Sequence, residues 1–255
     1  MRILWDNEAD KFTPAASTEE SGYPATNAQH IHLARAWRTT GVDGEYLTLD
    51  AGAGNTITAT CAAIIGKSPY THNLTNAATI KIQAHPTDAW GAPDLDQAFT
   101  WSAGTMLVFF TSTAKRFWRF YFDDDANPDG YLEIPRLFLG TYLQMPYIEP
   151  GAELPLESNA EVMTSLSGQV YGDLRIQRLA PTFRLPIVGN TERLAINAMF
   201  AEVDITTPVL LAVWEDSLDV EPPLYCRIDQ ERLEYAKAAE PGVLWSLDLA
   251  FMEVF

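Results

Sequence analysis

The stretch DDDANPDG, Asp123 to Gly130, gathers side chains that can hold a cation. Read from Asp125 it runs D-A-N-P-D-G, which fits the opening of a calcium loop, D-x-[DN]-x-[DN]-G. An EF-hand would take Asp125, Asn127 and Asp129 as ligands, turn sharply at Gly130 and close with a bidentate Glu at the twelfth position. That position holds Arg136, and the flanks RFWRFYF and YLEIPRLFLG read as strands rather than helices, so an EF-hand is excluded. Two readings remain. Asp123, Asp125 and Asp129 would make a looser calcium site, or the residues serve only a tight turn, in which Pro128 fixes φ and Gly130 supplies a positive φ. The turn accounts for every residue and is the expectation, with no cofactor.

Other candidate chemistry is thinner. Gly66-Lys67-Ser68 resembles the tail of a phosphate-binding loop, but Cys61 stands where the first Gly is required. Pro69 also biases Ser68 away from the helix that must follow. His30 and His32 would project together from a strand, with no third metal ligand at suitable spacing. There is no GxSxG elbow and no histidine after His85, so a nucleophile–His–Asp set lacks support. With 34 Asp and Glu, pairs of carboxylates for glycoside hydrolysis can be drawn in many ways and select nothing. The chain reads as non-enzymatic. Cys61 and Cys226 lie far apart and are expected as packed, reduced thiols. Trp90 and Trp101 are the better lead, since both fall in or beside polar stretches containing Gly and Pro. They are candidates for stacking on sugar rings or for plugging into a neighbouring subunit, and they would equally close the ends of a sandwich.

The elements that must position these residues follow from periodicity. Leu47 and Leu49 alternate with Thr48 and Asp50, and Ile80, Ile82 and Ala84 with Lys81 and Gln83, as on half-buried strands. In RFWRFYF, Trp118, Phe120 and Phe122 share one face and Phe117, Arg119 and Tyr121 the other. MLVFF (106–110) suits a sandwich core, and Pro135 marks an edge or a bulge. The fold class expected is all-β to α+β: an antiparallel β-sandwich over residues 1–148, then a β-rich domain over 149–255 with one helix near 191–201, where Asn190 would cap the first turn. The intervening 146–159 is rich in Pro and acids and lacks periodicity. Strands are expected at 209–214, at 223–228 and along the C-terminal run VLWSLDLAFMEVF, where Val243, Trp245, Leu247, Leu249 and Phe251 share a face in the middle of a sheet.

Composition sets bounds. With 47% hydrophobic residues the chain can bury a core, and 16 Pro and 15 Gly point to many short elements. There are 10 basic and 17 acidic residues up to position 150 and 7 and 17 beyond it, giving a formal −17 overall. Both parts would repel phosphate, which argues against sequence-specific nucleic-acid binding. No apolar run approaches the ~20 residues needed to cross a bilayer, so no membrane insertion is expected. The acidic start is unlike a signal peptide, which points to synthesis in the cytoplasm.

AKRFWRFYFDD, with GYLEIPRLFLG after the turn, resembles a family of phage tail-tip proteins whose sandwich is similar to a galactose-binding, discoidin-type jelly roll. Trp37-Arg38-Thr39, YLTLDAG (46–52), AAIIG (62–66) and HNLTNAATIKIQA (72–84) carry the same resemblance in order. SGQVYGDLRIQRLAPTFRLP and TERLAINAMF resemble the second half of such proteins. The resemblance implies a distal-tail or baseplate component of the virion, assembled in the host cytoplasm. It also implies a homo-oligomeric ring (hexamer or trimer), tail tube and hub proteins as partners, and a host surface glycan as a further partner if the jelly roll binds one.

Overall fold

The structure, a computed structural model, describes residues 1–145, 148–149, 153–158, 160–173, 175–214, 218, 221–239 and 244–255. Part of the expected linker at 146–159, and Val243, therefore lie outside the described residues. The chain forms two compact units that alternate along the sequence. One comprises Arg2–Leu143, Leu210–Leu224 and Phe255, the other Met1, Gln144–Val209 and Tyr225–Val254.

The first unit is an antiparallel β-sandwich of jelly-roll type. It contains β1 (Arg2–Leu4), β2 (Ala15–Ala16), β3 (Glu45–Asp50), β4 (Ile57–Ile65), β5 (Thr79–His85), β6 (Leu95–Ala98), β7 (Met106–Lys115), β8 (Phe117–Asp123) and β9 (Arg136–Gly140). One layer has the order β2-β3-β8-β5-β6, with β8 in the centre; the other has the order β9-β4-β7. The two-residue period of β8 does what the sequence requires. Trp118, Phe120 and Phe122 are fully buried, and they join Leu47, Leu49, Ile80, Ile82 and Ala84 in one core with Ala62, Ile64, Met106, Leu137 and Leu139 of the second layer. The rings of Phe110 and Trp118, from opposite layers, have centroids 5.8 Å apart. Burying side chains of this size contributes roughly 1.5–3 kcal/mol each.

Pro135 marks the change of layer. Glu133–Ile134 pairs with Trp37–Arg38, and after Pro135 the chain enters β9, an edge strand, where a missing N–H is tolerated. Arg136, at the position where a calcium loop would need Glu, is instead buried. Its Nη2 lies 2.7 Å from Asp10 Oδ2, and it also donates to the Gln29 carbonyl. Gly140 ends β9 where a Cβ would come within 2.5 Å of the Asp6 carbonyl oxygen, so only glycine fits.

The second unit contains β10 (Glu161–Thr164), β11 (Val170–Asp173), β12 (Thr182–Val188), α1 (Asn190–Val203), β14 (Leu224–Ile228, whose first residue belongs to the other unit), β15 (Tyr235–Ala239) and β16 (Leu244–Glu253). β13 (Val209–Ala212) pairs with β1 in the register Ile3↔Leu211, both residues belonging to the sandwich unit. β16 is central, as its alternation leads one to expect: β12 lies along one side, and β15 and β14 share the other. The helix buries Ile196, Met199 and Val203 at helical spacing. Its N-cap is Gly189, which provides no side-chain cap; Asn190, expected as the cap, is the first helical residue, and its Oδ1 accepts from Trp245 Nε1 at 3.4 Å. Among the described residues no helix is long and apolar enough to cross a membrane.

Candidate functional site

Trp90 and Trp101 stand at opposite ends of the sandwich. Trp90 follows β5 beyond His85, which pairs with Phe117 at the start of β8. Trp101 follows β6, whose Ala98 pairs with Lys81 near the other end of β5. Trp101 is 38% exposed, and its indole N–H donates to the Leu74 carbonyl at 3.1 Å, tying two loops together. The same loops are joined by His72, which is buried between Ser102 O, 2.9 Å from Nε2, and Leu74 N, which donates to Nδ1 at 3.2 Å. Burial pushes the His72 pKa below its ordinary value. Trp101 thus braces the structure there, while its remaining surface stays open.

Trp90 has a different setting. Its indole N–H is held by Asp88 Oδ1 at 2.6 Å, and its ring lies 4.4 Å from the Arg119 guanidinium carbon. Arg119 occupies the outward face of the central strand β8, opposite the buried stripe. Tyr121 on the same strand and Tyr46 on β3 stand 5.2 and 5.4 Å from that guanidinium, so three rings surround one cation. Gln83 on β5, across from Arg119 in register, accepts from Nε at 2.9 Å and from Nη2 at 2.5 Å. The orientation of the Gln83 amide is set from behind, because its Nε2 donates to Asp96 Oδ1 at 3.0 Å, which leaves Oε1 for the arginine. Lys81 Nζ lies 2.9 Å from the other Asp96 oxygen. Burial works against the Asp96 charge, but hydrogen bonds from Lys81 and Gln83 prevail and hold its carboxyl below the ordinary range. β3, β5, β6 and β8 therefore present a half-buried platform of aromatic faces with a fixed guanidinium at its centre. Trp90 was legible in the sequence as a loop tryptophan. Arg119 and Tyr121 are legible only as the polar face of a strand, and Tyr46 carries no sequence signal of its own.

The acidic turn behaves as turn chemistry and also brings carboxylates together. Gly130 has φ +76°, and the Asp129 N–H donates to Asn127 Oδ1 at 3.1 Å. Asp124, itself buried, accepts from Thr75 N at 2.8 Å, from Thr75 Oγ1 at 2.5 Å and from Asn127 Nδ2 at 3.0 Å. Of the three candidate ligands, Asp123 and Asp125 converge, with Asp43 as third member, their oxygens all within 4.8 Å of one another. Asp129 turns elsewhere and accepts from Asn73 Nδ2 at 2.9 Å. Burial, followed by the charges of Asp125 and Asp43, holds the Asp123 carboxyl above its ordinary range.

Lys67 and Tyr70 close a tight turn where a phosphate-binding loop would need a helix. His30 and His32 do not lie on a strand, although their ring centroids are 5.1 Å apart. Both cysteines are buried and outside any disulfide, and burial pushes the Cys61 thiol up to about 12, which makes it inert at neutral pH. In the second unit an open groove of about 690 Å³ is lined mostly by polar residues, among them Gln230, Arg232, Glu234 and Asp248, with no histidine or cysteine among the described lining residues.

No protein-family model matches this sequence, and no curated protein does either. Solved structures are similar to a little over half of the chain. The family 32 carbohydrate-binding module of NanJ from C. perfringens, in complex with galactose, is 14% identical and covers 56% of this chain and 99% of its own, with a TM-score of 0.42. The lectin domain of lectinolysin complexed with Lewis B antigen is 16% identical over 53% of this chain and 96% of its own, with a TM-score of 0.42. Chitosan-binding module 1 from a chitosanase/glucanase of Paenibacillus sp. IK-5 is 17% identical over 52% of this chain and 98% of its own, with a TM-score of 0.40.

Proposed function

We propose that the sandwich unit is a non-catalytic carbohydrate-binding module whose ligand lies on the outward face of the five-stranded layer. The observation that carries this reading is the platform itself, with Trp90, Tyr46 and Tyr121 gathered around Arg119. Sugars present C–H faces that pack on aromatic rings and hydroxyls that accept from fixed N–H donors, and the platform offers both. Trp101, which ties two loops together through the Leu74 carbonyl and makes no contact with Arg119, has the supporting role. A glycan array followed by calorimetry on the intact chain tests this. Trp90→Ala is expected to weaken binding at least tenfold, whereas Trp101→Ala leaves affinity within about twofold. The reverse pattern moves the site to the other end of the sandwich, and an array with no ligand sinks the reading.

A second reading, a structural subunit of a phage tail tip, is favoured by one feature of the second unit. The β10–β11 hairpin leaves Val162, Met163, Val170 and Tyr171 each about 60% exposed or more. A two-stranded hairpin with apolar residues on both faces is marginal alone and is stabilised by being covered. In this reading the cover is a neighbouring subunit or a tail tube or hub protein, and the chain is part of the virion. Native mass measurement of the purified protein separates a ring from a monomer.

A further inference from the structure

We propose that the platform selects a sugar acid, a pyranose bearing one carboxylate such as a terminal uronate or sialate, with that carboxylate received by Arg119. This rests on the carbohydrate-binding reading and adds the ligand's chemical class.

The argument concerns how the cations of this layer are neutralised. Lys81 is paired with Asp96, and Arg116, which directly precedes β8, with Asp50 at 2.6 Å. Arg119, in the middle of the same face and in a chain with twice as many acids as bases, has no carboxylate within ion-pairing distance among the described residues. Its only hydrogen bonds among them go to the neutral Gln83, through Nε and one Nη2 hydrogen. The remaining N–H groups of a planar guanidinium are suited to a bidentate carboxylate. Three aromatic rings fix that plane without spending its donors. The relay Asp96–Gln83–Arg119 keeps the guanidinium in place before any ligand arrives, which reduces the ordering cost of binding. An arginine needed only for packing would be served equally well by a direct ion pair such as its neighbours make.

The charge of the whole chain limits ligand size. At a formal −17 the protein repels a polyanion at long range, so the fitting ligand carries one carboxylate rather than a row of them.

The test uses the intact chain and two matched pairs: methyl β-glucuronide against methyl β-glucoside, and sialyllactose against lactose. Binding is followed by calorimetry or ligand-observed NMR. The acid member of at least one pair is expected to bind tenfold or more tightly than its neutral partner. Arg119→Gln should erase that preference, lowering affinity for the acid member at least tenfold more than for its neutral partner. Arg119→Lys, which keeps the charge but loses the planar fork, should retain only part of it. Unchanged thermal melts would show that both variants fold. If neutral and acidic members bind alike and only Trp90→Ala weakens them, the selectivity is overturned while carbohydrate binding stands. If none of the four binds but the array yields another neutral glycan, the selectivity is likewise overturned; failure of the array as well removes both.

Discussion

Asp123 shows how one side chain can be read from a pKa. Its half-buried carboxyl lies beside Asp125 and Asp43, so its folded-state pKa lies above the unfolded value. The folded protein therefore holds that proton more tightly, and stability falls as pH rises through the raised value, with the whole penalty present at neutral pH. Asp123→Asn removes the penalty. It is expected to raise Tm at pH 7, with the gain shrinking as pH falls into the carboxylate range; a drop in Tm at pH 7 would show that the charge is stabilising. At this scale the sequence exposed some of the site and hid the rest. Asp123 and Asp125 are visible as neighbours, but Asp43 joins them from the turn before β3, a proximity that only strand pairing creates. In the same way Trp90 and Trp101 look equivalent in sequence, because nothing local says which end of a strand a loop will occupy.

Elements were legible where a period runs unbroken. In β8 one residue in two is apolar and buried, so adjacent positions carry opposite consequences. Phe120→Ala is expected to cost roughly 3–5 kcal/mol, from lost transfer energy and the cavity left behind. Tyr121→Ala, on the outward face, should stay within about 1 kcal/mol while affecting ligand binding. Urea unfolding measures both, and comparable losses would mean that the layer is covered on both faces. β16 was legible for the same reason. The helix start was not, because Gly189-Asn190 offers two capping residues in a row and the backbone uses the glycine. The β10–β11 hairpin carries no such signal, since its alternation has no polar face to contrast with. Val162 and Met163 stand on opposite sides, and both are exposed.

At the scale of the molecule, that hairpin and the net charge pull in opposite directions. Residues 162–172, VMTSLSGQVYG, contain no charged side chain, in a chain with 34 acids and 17 bases. Two copies meeting through this segment would bury apolar surface at the hairpin while the remainder of each chain repels the other. Repulsion between exposed charges acts over a Debye length of about 10 Å at 0.1 M salt and only about 3 Å at 1 M. Apolar association is not weakened by that screening. If the hairpin is an assembly element, sedimentation should therefore show larger species as salt rises from about 0.05 to 0.5 M, the range over which the repulsion is screened. Val162→Asp together with Tyr171→Asp should return the protein to monomer at every salt concentration, with the melting of the sandwich unchanged. Association that weakens with salt, or that survives both substitutions, would place the contact on charged surface elsewhere and leave the hairpin without an assembly role.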